Sequence, residues 1–466
     1  MVKRSFIIIA ALVLAAATAG CSAGPQEYVT VPAPAAAQAS EVAAPVESTP
    51  MSTLTAEPTS EPTPEPTPAV QEATVGFVGD ILMMTRQIAD AKTETDYDFT
   101  ESFLPMKSVF ESVDIMCADF EGTFGGEEAG YTQPRETIAP ATEENPNPTN
   151  PPMQSFSAPD ELAKNLFDAG IDAVTTANNH AMDRDDAGLF RTINVLRAAG
   201  IKTAGTALSM EDFLTPCIII KNGIKIGLVG ATQILNGTAP KIDAENRDFA
   251  LTRLTEEMVK SQISACTGAG AEFIIIMVHW GYEHQSTEDE SQRRFAAKLI
   301  DWGADAIIGA HSHCPQPMEW IDAERDGRAI RVPVVYSLGN FISNMSQEHA
   351  KIGVFARIRI TRDENGVRCE ELACLPLYCC RAVPADGGRE IHRTLPCFIE
   401  NGAMANDAGM DESVLRAMQK AYDHVAAVCI GEREDIHMIE RSEIYAGEAS
   451  VSYTHLRAHE TRHDLV

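Results

Sequence analysis

Met277-Val-His-Trp-Gly-Tyr-Glu283 and Gly309-Ala-His-Ser-His313 are the stretches on which the reading of this 466-residue chain turns. Each follows a run of β-branched and apolar residues, Phe273-Ile-Ile-Ile-Met-Val278 and Ala306-Ile-Ile-Gly309. Runs with no polar alternation predict strands buried on both faces, as in a parallel or mixed α/β sheet. Each run ends by presenting histidine where strand becomes loop, and ligands of α/β sheets gather at the carboxyl ends of strands. Neutral imidazole is the commonest transition-metal ligand near neutral pH. Three histidines at two such ends predict a metal site assembled on a sheet rim.

Working outward, other predicted strands end in the same way. Thr74-Val-Gly-Phe-Val-Gly-Asp80 runs into an acid, and Ile115-Met-Cys-Ala118 runs into Asp119-Phe-Glu121. Ala173-Val-Thr-Thr176 delivers Ala177-Asn-Asn-His180. Helices are predicted over 102–112, over 159–169 with Ser157 as N-cap and Gly170 as stop, and over 185–199 capped by Asp183. Further helices are expected near 256–266, 288–302 and 412–428. Ile218-Ile-Ile220 and Lys225-Ile-Gly-Leu-Val229, split by Asn222-Gly223, predict a β-hairpin. Val332 to Asn340 and Gly353 to Ile360 read as strands, and Gly125 to Pro152 as a long surface loop. The alternation of strand and helix predicts one large α/β domain over 74–345, with a β-rich C-terminal part and a helix over 346–450.

The strand-end residues form a constellation: Asp80, Asp119 with Glu121, Asn179-His180, His279 with Glu283, and His311 with His313. Carboxylates, an amide oxygen and imidazoles together suit a borderline divalent ion such as Mn, Fe(II), Zn or Co. There are enough donors for one ion or two adjacent ones, the latter being an arrangement that polarises a phosphoryl or acyl centre.

The formal charge is −30, which opposes nucleic acid and anionic lipid surfaces as partners. Lys3 and Arg4 precede an apolar run, Phe6 to Ala17, and then Thr18-Ala-Gly-Cys21. A basic start, a short apolar stretch and small residues before a cysteine resemble the lipobox of bacterial lipoproteins. Residues 1–21 are therefore expected to be a lipoprotein signal peptide, with Cys21 lipidated and the protein membrane-anchored on the extracytoplasmic side. Residues 22–73 are rich in Pro, Thr and Glu and predict a disordered stalk reaching on the order of 100 Å. Cys117, Cys217 and Cys266 sit in or beside apolar segments and read as buried thiols, while Cys369, Cys374, Cys379, Cys380 and Cys397 are dense enough to include a bridge. Residues 451–466 are basic and histidine-rich, unlike the rest, and are expected to be non-native or disordered. His459-Glu-Thr-Arg-His463 matches a zinc-protease pattern, but that chemistry needs a helix within a fold and a third ligand.

The order Gly-Asp, acidic cluster, Asn-His, lone His and Gly-x-His-x-His resembles the calcineurin-like metallophosphoesterase superfamily. Within it the wording resembles the CapA family of capsule and poly-γ-glutamate synthesis proteins. The matching pieces are Phe77-Val-Gly-Asp-Ile-Leu-Met83, Asp119-Phe-Glu-Gly122, Ala177-Asn-Asn-His-Ala-Met-Asp183, Val278-His-Trp-Gly-Tyr-Glu283, Gly309-Ala-His-Ser-His313 and Tyr336-Ser-Leu-Gly-Asn-Phe341. The resemblance implies a four-layer αββα sandwich with metals at one rim. By position it implies Asp80 and His313 on one ion, Asn179, His279 and His311 on the other, Glu121 between them, and His180 as the catalytic imidazole beside a metal-activated water. Leu82 stands where the superfamily has histidine, Glu121 where it has aspartate, and Asp119 where the CapA pattern has asparagine; Glu283 or Asp119 could compensate. The implied role is metal-dependent, hydrolase-type synthesis, anchoring or trimming of an anionic cell-envelope polymer, within a membrane-bound polymer-synthesis complex. A non-catalytic polymer-binding accessory and a phosphoesterase for a cell-envelope phosphate ester remain the alternatives.

Overall fold

The computed structural model describes residues 70–132, 155–237, 241–383 and 387–445. The expected signal segment with Cys21, the stalk up to residue 69, loop residues 133–154 and the 451–466 tail lie outside the described residues. The strands of three or more residues in the two main sheets are, in chain order, β1 (Gln71–Ile81), β2 (Ile115–Phe120), β3 (Ala173–Thr175), β4 (Lys202–Ala204), β5 (Cys217–Lys221), β6 (Ile224–Thr232) and β7 (Phe273–His279). They continue as β8 (Ala306–Ala310), β9 (Met318–Arg325), β10 (Arg328–Val335), β11 (Asn340–Ile342), β12 (Ile352–Asp363), β13 (Gly366–Ala382) and β14 (Ile391–Pro396).

One sheet runs β14-β13-β12-β1-β2-β3-β4, with β11 paired to the end of β1; the other runs β5-β6-β7-β8-β10-β9. β1 to β4 are mutually parallel, as are β6, β7 and β8. Period-two alternation sorts their side chains into layers. Val75, Phe77, Ile115 and Cys117 of the first sheet meet Ile226, Leu228, Ile275, Met277 and Ile308 of the second in one shared core. The outer face of the first sheet, with Met116, Ala118 and Val174, packs on Val109, Phe110, Leu162, Leu166 and Leu196 from its helices. The outer face of the second, with Ile274, Ile276, Val278 and Ile307, packs on Val259 and Ile263 of the Glu256–Gly268 helix and on Leu299 and Ile300 of Glu290–Trp302. The result is the expected four-layer αββα sandwich. It explains why Phe273 to Val278 has no polar face: every side chain is covered, each worth roughly 1.5–3 kcal/mol of burial.

Several local expectations are corrected. β1 opens at Gln71, inside the expected stalk, because Gln71 to Ala73 pair with Arg362 to Ile360 of β12. The helix expected over 102–112 is three short turns, Thr100–Phe103, Leu104–Met106 and Lys107–Glu111, broken where Pro105 lacks a donor. Ser157 does not cap a helix; its hydroxyl accepts from the Gly125 amide at 3.0 Å, and the helix spans Glu161–Ala169. Val332 to Asn340 is not one strand, since β10 ends at Val335 and β11 starts at Asn340. The last long helix, Glu412–Val425, gives way to a π-helical turn at Ala426–Ile430. All ten cysteines among the described residues are free, so the dense group at 369–397 holds no bridge. Asn222 and Gly223 both take positive φ, 48° and 82°, the twist that a two-residue hairpin turn requires.

Candidate metal centre

Parallel pairing aligns the strand ends. Asp80 is opposite Asp119, Asp119 is opposite Thr175, and in the other sheet His279 is opposite Ala310. The residues at or just beyond these positions are therefore delivered to one rim, where the two sheets face each other. Asp80, Glu121, Asn179, His279, His311 and His313 are all buried there. The approach is close: a Cβ on Gly309 would lie 2.0 Å from the Tyr336 carbonyl oxygen and 2.6 Å from Trp280 Nε1. His311 and His313 carry positive φ, 99° and 57°, conformations that cost a non-glycine residue about 1–3 kcal/mol each. That strain is retained where it aims two imidazoles into the rim.

His279 Nδ1 lies 2.8 Å from Asp119 Oδ2, and Asp119 Oδ1 accepts from Asn178 Nδ2 at 3.1 Å. Burial lowers the His279 pKa to about 3, so the imidazole is neutral with a single N–H. Nδ1 carries that proton and donates it in a hydrogen bond to Asp119, leaving the Nε2 lone pair facing Asn179 Oδ1 at 2.8 Å, His311 Nδ1 at 3.0 Å and Glu121 Oε1 at 3.8 Å. A carboxylate behind a histidine fixes tautomer and ring orientation in metal sites. On the other side, His313 Nδ1 lies 3.1 Å from Asp80 Oδ2, 3.0 Å from Asn340 Oδ1 and 3.7 Å from Glu121 Oε2. Burial pulls His313 down, but Glu121 and Asp80 overcome it and raise its pKa to about 10. Burial, reinforced by Asp80, Asp119 and Glu283, pushes Glu121 well above the usual carboxylate range.

The donor set fits a divalent cation. Asp80 Oδ1 and both Glu121 oxygens are buried with no hydrogen-bond partner. A buried carboxylate without partners is costly, and a cation removes the cost. Ligand atoms of Glu121, His279 and His311 fall within 4.8 Å of one another, as do those of Asp80, Glu121 and His313, so Glu121 belongs to both groups.

His180 closes the rim. Its ring packs edge-on against Phe156, centroids 4.5 Å apart, and its Nε2 lies 3.9 Å from Glu121 Oε1. Its Nδ1 is 2.8 Å from Asp183 Oδ2, which also accepts from the Phe156 amide at 2.6 Å. The sequence expectation for Asp183 is thereby corrected. The helix Asp185–Ala198 has Arg184 at its N-cap with no side-chain bond, while Asp183 is spent on orienting His180.

The expected site residues thus come together, with one exception. Glu283 is exposed and reaches the centre only through its field, which adds to the rise of Glu121 and His313. Asp119 lies behind His279, a place the sequence left open. Sequence reasoning missed Asp183, Asn178 and Asn340. Asn340 lies within the Tyr336-Ser-Leu-Gly-Asn-Phe341 stretch, and the acid three residues past His180 was the available sign for Asp183.

The family described as "Bacterial capsule synthesis protein PGA_cap" matches residues 74–345. The chain belongs to this family. The PGA biosynthesis protein CapA of Bacillus subtilis is 24% identical over 294 residues, covering 63% of this chain and 69% of that protein. The capsule biosynthesis protein CapA of Bacillus anthracis is 27% identical over 199 residues, covering 42% of this chain and 46% of that protein. Among solved structures, the calcineurin-like phosphoesterase YfkN from Bacillus subtilis aligns with a TM-score of 0.38 and 15% identity, over 76% of this chain and 98% of that one. The span matched by the PGA_cap family, 74–345, contains every residue of the candidate centre, Asn340 included.

Proposed function

We propose that this PGA_cap member carries out metal-dependent hydrolytic chemistry on an amide bond of an anionic polymer of the poly-γ-glutamate class during capsule synthesis. The observation that carries the reading is Glu121: a fully buried carboxylate, both oxygens unpartnered, set between imidazoles from two sheets. The names of the two CapA relatives support the polymer class. A bound divalent ion would supply Lewis-acid polarisation and water activation. Asp80, Glu121, Asn179, His279, His311 and His313 would hold one or two such ions.

The chain's own residues do the rest. Asp119 keeps the His279 proton on Nδ1 and its lone pair toward the centre. Asp183 holds His180 by Nδ1 and stabilises the imidazolium, so that Nε2–H, on the Glu121 side, can pass a proton to the leaving nitrogen. Phe156 covers one edge of that ring and keeps water from it. We further propose attachment to the membrane through lipidated Cys21, in a polymer-synthesis complex; the basic start, short apolar run and Ala-Gly-Cys21 support this.

A second reading, a polymer-binding accessory without turnover, is favoured by one observation. Leu82, fully buried, stands where the superfamily pattern has a ligating histidine. His180→Ala separates the two. Catalysis predicts unchanged ion content with turnover of an oligo-γ-glutamate lost; the accessory role predicts no turnover even by the wild-type protein loaded with Mn, Zn, Fe(II) or Co. Cleavage of simple phosphodiesters but not γ-glutamyl amides would overturn the proposed substrate.

A further inference from the structure

A cleft of about 550 Å³ lies beside the metal centre, walled by Ser343, Asn344, Lys351, Arg381, His392 and Ser413 among others. The chain holds 67 acidic residues against 37 Lys and Arg, yet no Asp or Glu is among the described residues lining this cleft. The acids that pair with its cations are not part of this lining. Asp90, at 3.0 Å, and Glu390 hold Arg381, Asp90 also lies 3.2 Å from His392, and Glu348 holds Lys351 at 2.6 Å. His392 is fixed from its other nitrogen by Asn344 Oδ1 at 2.8 Å. Arg381 and Lys351 are thus anchored cations in the wall of the cleft, with Ser343 and Ser346 beside them.

Two tracks tie this cleft to the centre. Asn340 faces His313 through Oδ1 at 3.0 Å, while its Nδ2 donates to Ser343 Oγ at 3.0 Å and to the Ala350 carbonyl at 2.8 Å. His284, with positive φ of 62°, lies 6.0 Å ring to ring from His313 and 3.0 Å, nitrogen to nitrogen, from His349, in the same Glu348–Lys351 turn that carries Lys351. A cleft free of one sign of charge concentrates ligands of that sign, and its volume is that of a ligand pocket.

We propose that this cleft is the seat of a carboxylate-bearing stretch of the polymer, held beside the bond presented to the metal rim; this rests on the polymer class proposed above. The cleft can be probed with the full chain, a short labelled oligo-γ-glutamate and fluorescence anisotropy, with EDTA present so that ions make no contribution. Ser346→Glu and Ser413→Glu place a carboxylate at exposed positions of the lining, and each should weaken binding about tenfold or more, as should Lys351→Gln. Melting temperature and ion content should stay at wild-type values. Wild-type affinity in all three variants would overturn the cleft. Cleavage of the oligomer at a kcat/KM untouched by them would leave the catalytic reading standing and the cleft refuted. Binding through the cleft without cleavage would do the reverse, and absence of any binding by the wild-type chain would refute both.

Discussion

Asp119→Asn isolates the logic of the centre in one atom. The carboxylate is buried, with Oδ2 2.8 Å from His279 Nδ1 and Oδ1 3.1 Å from Asn178 Nδ2. Asparagine keeps the shape but has one carbonyl and one NH2. If its oxygen faces His279, its NH2 meets the NH2 of Asn178. If it faces Asn178, its NH2 meets His279 Nδ1 and forces the proton to Nε2, where it points into the ion's seat. Either way the lone pair at Nε2 is lost or weakened. One charge-assisted hydrogen bond is worth about 1.5–3 kcal/mol. Loss of a carboxylate behind a histidine ligand typically costs 10–100-fold in metal affinity, about 1.4–2.7 kcal/mol. The two figures agree, so ion affinity should fall by one to two orders of magnitude.

Stability should move the other way. Burial raises the Asp119 pKa to about 7, against a weaker lowering by the Asn178 bond, so ionisation disfavours the ion-free fold as pH rises through that value. At pH 8 a neutral amide removes this cost, and the ion-free variant should melt at or above the wild-type temperature. Competitive chelator titration gives the affinity, calorimetry of the ion-free protein gives the stability, and imidazole ¹⁵N shifts give the His279 tautomer. An unchanged affinity, or a loss of affinity accompanied by an equal loss of ion-free stability, would refute the reasoning.

Other consequences follow from the same geometry. Asp183→Asn should leave ion content intact, lower kcat by about 10²-fold or more and alter the pH–rate profile; an unchanged profile would deny the acid its hold on His180. Without an ion, Glu121 and Asp80 keep His313 protonated to about pH 10. Coordination must displace that proton, so binding at pH 8 should release on the order of one proton and weaken as pH falls, as calorimetry in buffers of different ionisation enthalpy would show. Gly309→Ala drives a Cβ into the Tyr336 carbonyl and should destabilise the fold by about 1–3 kcal/mol or more in thermal unfolding while lowering ion content; a wild-type melting temperature would contradict the packing described.

What could be read from residues alone follows from where the decisive forces act. β7 and β8 were legible because a strand covered on both faces must be apolar throughout. The site was legible because each of its groups ends a strand. β9 was not, since Glu319, Asp322, Glu324 and Arg325 are scattered without period along a half-exposed edge and resemble surface loop. Asp183 was misread for a related reason. An acid before a helix is locally a good cap, and only the tertiary approach of His180 and the Phe156 amide shows that its oxygens are already taken. Pro105 was visible and should have broken the predicted helix. The close approach at Gly309 was not visible, because it depends on Tyr336, twenty-seven residues later, folding back over it.

Positions 82 and 121 bear on each other. Leu82 brings no donor, and its backbone amide instead bonds the Ile342 carbonyl at 3.0 Å, holding β11 beside β1. That pairing sets Asp80 opposite Asn340 and brings Asn340 Oδ1 to His313. The oxygen of Asn340 thus lies on the Asp80 and His313 side of the centre as a neutral donor. Glu121 is long enough for its two oxygens to diverge: Oε1 toward His279 and His180, Oε2 toward His313. Glu121 therefore supplies charge to both sides of the candidate centre, where Leu82 supplies none.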